Sequence, residues 1–225
     1  MKKYYLAKDE RLLEFFQKLG FKRKGSDFYR SNDASIQSLA FWHSTQNQRF
    51  VKFYSINVSL TFPKILDITH EIGPLYEGII ESNIGYLMPQ NNFIEWRIAE
   101  EENENRVSEV IKEIIDIVSK DVMPVLDRYS SIENILIDYE NGKFPFFMSY
   151  SMLPMLYYIH GEVSKAFHCL EKTISFVDNY EKKCYESGGI IELPKGIMRP
   201  ARSLDVYSEF YKNLKEYHCR VSRRS

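Results

Sequence analysis

From Phe50 to Phe62 alternate residues fall on opposite sides of an extended chain. Phe50, Lys52, Tyr54, Ile56, Val58, Leu60 and Phe62 share one face, while Ser55, Asn57, Ser59 and Thr61 supply the other. A period of two sustained over this length fits a pleated strand and no helical repeat. An apolar side backed by a polar one predicts a half-buried antiparallel sheet, because parallel strands are normally covered on both faces. The sheet is thus expected at the centre of the fold, with one face in the core and the other exposed.

The flanking segments supply the rest of that sheet and its cover. Asp9 predicts an N-cap for a helix whose apolar stripe is Leu12, Leu13, Phe16 and Leu19, and Gly20 is placed to end it in a left-handed conformation. Residues 21–24 and 27–31 flank Gly25 and Ser26 as two short strands. Residues 36–43 read as a third, and the polar stretch 45–48 turns the chain into the long strand. Pro63 ends that strand by removing a ladder donor. Residues 66–82 predict a helix interrupted at Gly73-Pro74, and 84–88 and 93–99 predict one or two more strands.

Glu100, Glu101, Glu102 and Glu104 introduce a long helix with Val107, Ile111, Ile114 and Val118 on one face; acidic residues there favour the positive helix end. Pro124 predicts a kink or restart, Ser130-Ser131 a cap for a helix over 132–139, and Asn141-Gly142 its close. A boundary near Lys143 divides an α+β sheet domain, residues 1–142, from a helical extension, residues 143–225, with helices at 151–160, 163–180 and 204–221. Three helices alone bury little, so the extension is expected to pack on the first domain or on a second chain. Leu153, Tyr157, Gly161, Ala166 and Leu170 fit one helical hairpin rather than a repeat array. The expected fold class is α+β: an antiparallel sheet of about four to six strands covered by helices, with an all-helical C-terminal extension.

Composition narrows the function classes. The chain is 44% hydrophobic and 15% aromatic over 225 residues, ample for a packed core. Met1 leads into Lys2, Lys3, Tyr4 and Tyr5 with no apolar leader, and no stretch approaches the roughly 20 apolar residues of a bilayer span, so a soluble cytoplasmic protein is expected. Cys169, Cys184 and Cys219 are odd in number and widely spaced, which favours reduced thiols over a disulfide framework. The net charge of −1 hides an uneven distribution: residues 1–64 hold 12 Lys/Arg against 5 Asp/Glu, residues 65–162 hold 6 against 18, and residues 163–225 hold 12 against 8. Such asymmetry either turns one surface towards a partner or is neutralised within the fold, and pairing and solvation carry the greater weight.

No motif brings acid, base and nucleophile together. His168, Cys169, Cys184, His218 and Cys219 include the ligand types zinc prefers, but lack CxxC or HxxxH spacing, so no metal is expected. There is no G-x-S-x-G elbow and no nucleotide-binding glycine loop, and no cofactor is expected. Asp138 and Glu140, two apart on a helix, point to different sides and read as a solvated helix end rather than an acid–base pair. Lys22, Arg23, Lys24, Arg30 and Arg49, interleaved with Phe21, Phe28 and Tyr29, form an alternative nucleic-acid patch. The same composition serves equally as a lysine-guarded sheet edge, and a pI near 6.5 is low for a dedicated nucleic-acid domain.

Leu19-Gly20-Phe21-Lys22-Arg23-Lys24-Gly25, Phe28-Tyr29-Arg30, the strand over 49–62, Trp96 and Val122-Met123-Pro124-Val125-Leu126 together resemble a bacterial family, the domain of unknown function family 4304, over about residues 5–140. The resemblance carries no catalytic residues across. It implies a cytoplasmic bacterial protein, and by analogy small acidic-patched α+β proteins act as neutralising partners in toxin–immunity pairs. The leading expectation is a non-enzymatic protein-binding module, with Glu100, Glu101, Glu102 and Glu104 facing a basic partner and a homodimer also compatible. The alternatives are nucleic-acid binding through the basic N-terminal strands and a hydrolase without a recognisable motif.

Overall fold

In the computed structural model the described residues are 6–32, 34–43, 51–73, 79–99, 104–146, 148–189, 191–193, 199–200 and 202–223. The chain divides into two compact units, one made of residues 1–62 and 79–147, the other of 63–78 and 148–225.

In the first unit α1 (Glu10–Lys18) precedes the strands β1 (Lys22–Lys24), β2 (Asp27–Ser31), β3 (Ile36–His43) and β4 (Val51–Thr61). The chain then forms α2 (Pro63–Ile72) of the second unit before returning as β5 (Ile79–Asn83) and β6 (Trp96–Ala99). All strand pairs are antiparallel in the order β1-β2-β3-β4-β5, and β6 pairs with the first residues of β4. The mixed α+β class and the six strands agree with the sequence expectation. Residues 84–88 do not: Ile84–Leu87 form a short 3₁₀ helix. Asn83 causes the change by capping that turn through Gly85 N–H, while its side chain also accepts from Ile94 N–H and donates to Ile94 O. The helix expected over 66–82 ends at Ile72, and residues 79–83 are strand instead.

From Tyr54 onward the alternation along β4 is realised, whereas Phe50 lies outside the described residues and Val51, of the opposite parity, is buried. Tyr54, Ile56, Val58, Leu60 and Phe62 are buried, whereas Ser55, Asn57, Ser59 and Thr61 keep part of their surface in water. The inner face also holds Phe28, Leu39 and Phe41, and Phe16 of α1 sits against them with ring centroids 4.4 Å from Phe28 and 5.9 Å from Phe41. Asp9 caps α1 as expected, accepting from Arg11 N–H.

The helix α3 (Glu104–Ile117) buries Val107, Ile111 and Ile114 and runs into a π-helical turn, Val118–Val122, and then α4 (Met123–Arg128). Pro124 has no N–H, and its ring disfavours a regular turn before it. The widened turn answers this, with Met123 N–H reaching Val118 O. The following helix α5 (Ile132–Glu140) is capped by Ser131. Asp138 departs from the solvated reading: it is buried and takes the Arg128 guanidinium and the Tyr129 hydroxyl, because α5 folds back beside the end of α4.

The second unit contains α2, α6 (Met152–His160), α7 (Val163–Ser187) and α8 (Leu204–Ser222). Gly161, at φ 95°, closes α6 in the left-handed region and lets α7 turn back beside it, giving the expected hairpin with Ala166 and Leu170 fully buried. The buried face of α7 is Ala166, Leu170, Thr173 and Val177, while Val163, Phe167 and Ile174 keep part of their surface in water. Ile65, Ile68 and Ile72 of α2 join Met152, Met155, Tyr207, Phe210 and Leu214 in this unit's core.

Candidate interaction surface

The helices α1 and α4 meet the inner face of the sheet, where Gln37 Nε2 donates to Leu126 O at 2.7 Å. The opposite face has short side chains at its centre, Ala40, Ser55, Asn57 and Ser59 around the buried Ser38, with Ile36 and Thr61 on one side of them and Val51 and Phe53 on the other. In antiparallel pairs opposed residues project to the same side, so the register places Lys22, Tyr29, Ser38, Ser59 and Glu81 in one row across all five strands. Beside it run Lys24, Asp27, Ala40 and Asn57, and then Trp42 opposite Ser55.

Local hydrogen bonds fix this face. Ser38 and Ser59 hydroxyls are 2.6 Å apart, and Asn57 Nδ2 donates to Glu81 Oε1 at 2.8 Å. Tyr29 O–H donates to Asp27 Oδ2 at 3.0 Å. Partial burial first, and then that carboxylate, hold the Tyr29 pKa above its usual value. Trp42 stands out from the platform with 57% of its surface exposed. Its position was readable in principle, since Leu39 and Phe41 point inward and Trp42 has the opposite parity. The cross-strand row was not readable, because it depends on a register that one sequence does not fix.

The basic residues separate. Lys22, Arg23 and Lys24 are exposed on the edge strand β1, and Arg23 Nε donates to Gly25 O. Arg30 turns into the fold: its guanidinium donates to Gln37 Oε1, Leu19 O and Asp127 Oδ1 and lies over the Phe21 ring. Phe21 and Phe28 are buried and offer no stacking surface. Arg49 lies outside the described residues, as do Glu100, Glu101 and Glu102. Glu104 is exposed at the start of α3, and the outer side of α3 and the π-helical turn after it mixes charges in the pairs Arg106–Glu109 and Lys120–Asp116, at 3.3 and 3.6 Å.

Within the second unit, a cleft of 420 Å³ is lined by Glu71, Ile72, Asn213, Glu216, Tyr217 and Arg220. Arg220 pairs with Glu71 and lies 5.5 Å from the centre of the Tyr217 ring, and Asn213 Nδ2 donates to Ile72 O. The lining of this open cleft combines the Glu71 and Glu216 carboxylates with the Arg220 guanidinium and the Tyr217 ring, and no serine, threonine or cysteine is among these residues. Cys169, Cys184 and Cys219 are free thiols, and burial pushes Cys169 up to about 11. Among the described residues no group of three His, Cys, Asp or Glu side chains is gathered for a metal ion, and no helix is long and apolar enough to cross a membrane.

No curated protein and no solved structure matches the chain. A family model does: Domain of unknown function (DUF4304) matches residues 12–128, from the first buried residue of α1 to the end of α4, and so takes in the whole sheet. With just over half of its length matched, the chain belongs to the DUF4304 family.

Proposed function

We propose that this chain is a non-enzymatic protein-binding module, acting in the bacterial cytoplasm, whose working surface is the outer face of the sheet. One observation carries the reading: Ala40, Ser55, Asn57 and Ser59 keep part of their surface in water around the buried Ser38, no helix of the first unit lies on them among the described residues, and Trp42 projects at their end. Short side chains let another polypeptide approach closely, and an exposed tryptophan is the residue type most often central to protein interfaces. Neutralisation of a toxin is the narrowest version of this function. It is supported by analogy and by the run of acidic residues that precedes α3 in the sequence. Nucleic-acid binding is less well supported, since Phe21, Phe28 and Arg30 are all engaged inside the fold.

The test is affinity capture from native extract with the wild-type protein and with Ser59→Arg, which places a bulky charge on the platform. Recovery of one protein, or of an untagged copy of this chain, in stoichiometric yield by wild type and its loss with Ser59→Arg supports the reading. Equal recovery by both proteins removes the sheet face from the function.

A further inference from the structure

We infer that the occupant of the sheet's outer face is a second copy of this chain, packed face to face about a two-fold axis parallel to β3. The inference rests on the reading of that face as a binding surface and adds the partner. Its basis is the row Lys22–Tyr29–Ser38–Ser59–Glu81, which begins with a cation, ends with an anion and has neutral, mostly short side chains between.

A two-fold axis along the middle strand reverses the strand order of one copy over the other. β1 then lies over β5, β2 over β4, and β3 over itself. Lys22 of each copy falls against Glu81 of the other, so a single self-complementary surface forms two ion pairs. Both groups are exposed, and Lys22 makes no ion pair among the described residues; Glu81 spends one oxygen on Asn57 and keeps the other. The β1 basic cluster also blocks growth of the sheet at its edge, which directs association to the face. Ala40, on the axis beside the buried Ser38, has no side chain beyond Cβ to hold the copies apart, and Trp42, on the same strand, meets its counterpart from the second copy.

By strand spacing and rise the five-strand face measures about 20 Å on a side. That is about 400 Å² per copy, half of the roughly 800 Å² per partner of a standard specific interface, so the dimer is weak, concentration-dependent and salt-sensitive.

Sedimentation equilibrium of the full chain from micromolar to several hundred micromolar tests this. Wild type is expected to dimerise in that range. Lys22→Glu and Glu81→Lys should each weaken self-association at least tenfold, since each puts like charges together twice. An equimolar mixture of the two variants should associate as wild type does, because every pair is then restored. Matching circular dichroism melts exclude misfolding as the cause of any loss. A monomer at all concentrations, a dimer indifferent to either reversal, or a mixture that stays apart overturns the inference. If wild type is monomeric yet captures another protein in a Ser59-dependent way, the second copy is wrong and the binding function stands.

Discussion

The Asp138 carboxylate receives both arms of the Arg128 guanidinium, 2.5 Å from Nε and 2.7 Å from Nη2, and Tyr129 O–H closes on it at 2.9 Å. The bidentate geometry is the strongest that a carboxylate makes with a side chain. Hydrogen bonding to Arg128 is the main reason the Asp138 pKa falls from 3.8 to about 2, and burial raises Tyr129 to about 12, with the Asp138 bond adding to it. A depressed carboxyl pKa stabilises the fold above the unfolded value and loses that contribution as pH falls through the folded one. Asp138→Asn should therefore lower stability at neutral pH, with the gap to wild type closing between about pH 4 and pH 2. Parallel urea titrations across that window check it; a gap independent of pH would mean that Asp138 acts through packing alone.

Gly85 and Gly161 predict different costs for the same alanine substitution. A Cβ at Gly85 would lie 2.2 Å from Asn92 O and 3.0 Å from the backbone N of Ile94, whose N–H and C=O are both bonded by the Asn83 side chain. At Gly161 nothing lies within 4 Å, and only the positive φ opposes a side chain. Gly161→Ala should cost about 1 kcal/mol, the left-handed penalty alone. Gly85→Ala should cost more than about 3 kcal/mol, as overpacking against backbone does. Chemical denaturation of the two variants gives both values, and equal losses would contradict the steric account.

Arg30 should behave as a structural residue, and Lys22 and Lys24 as surface ones. Arg30→Met leaves the buried Gln37 carbonyl oxygen without its donor and should cost about 1–3 kcal/mol, whereas Lys22→Met and Lys24→Met should stay within about 0.5 kcal/mol of wild type. Denaturant midpoints at low protein concentration make the comparison without interference from self-association.

Thiol reactivity should follow burial. Cys219 is exposed and should react first with a disulfide reagent such as DTNB at pH 8, while Cys169, half-buried and held near 11, should react last. Timed labelling with mass spectrometry assigns the order. Labelling of Cys169 ahead of Cys219 would show that the α7 surface opens more readily than its packing indicates.

Period and punctuation made much of this fold legible. The alternation along β4, the Asp9 and Ser131 caps, and the stops at Gly161 and Pro63 are local signals, and each appears where the residues place it. Residues 84–88 misled because Ile, Gly, Tyr and Leu are acceptable in a strand, and only the three hydrogen bonds of Asn83, two of them to Ile94, select the tight turn. Asp138 misled for a related reason: its partner is ten residues away on another helix, and the pairing belongs to the packing of α4 on α5. The candidate surface was half legible, since parity gives the polar side of each strand. The row joining Lys22 to Glu81 emerges only when four strand pairings are set in register.

The excursion of the chain between β4 and β5 bears on any chain built on the span of residues 12–128 alone. Residues 12–128 contain α2 but none of α6, α7 or α8, so a family member ending at that length would carry Ile65, Ile68 and Ile72 with nothing of this kind to shelter them. Such a chain must either replace those isoleucines with polar residues or borrow helices from elsewhere.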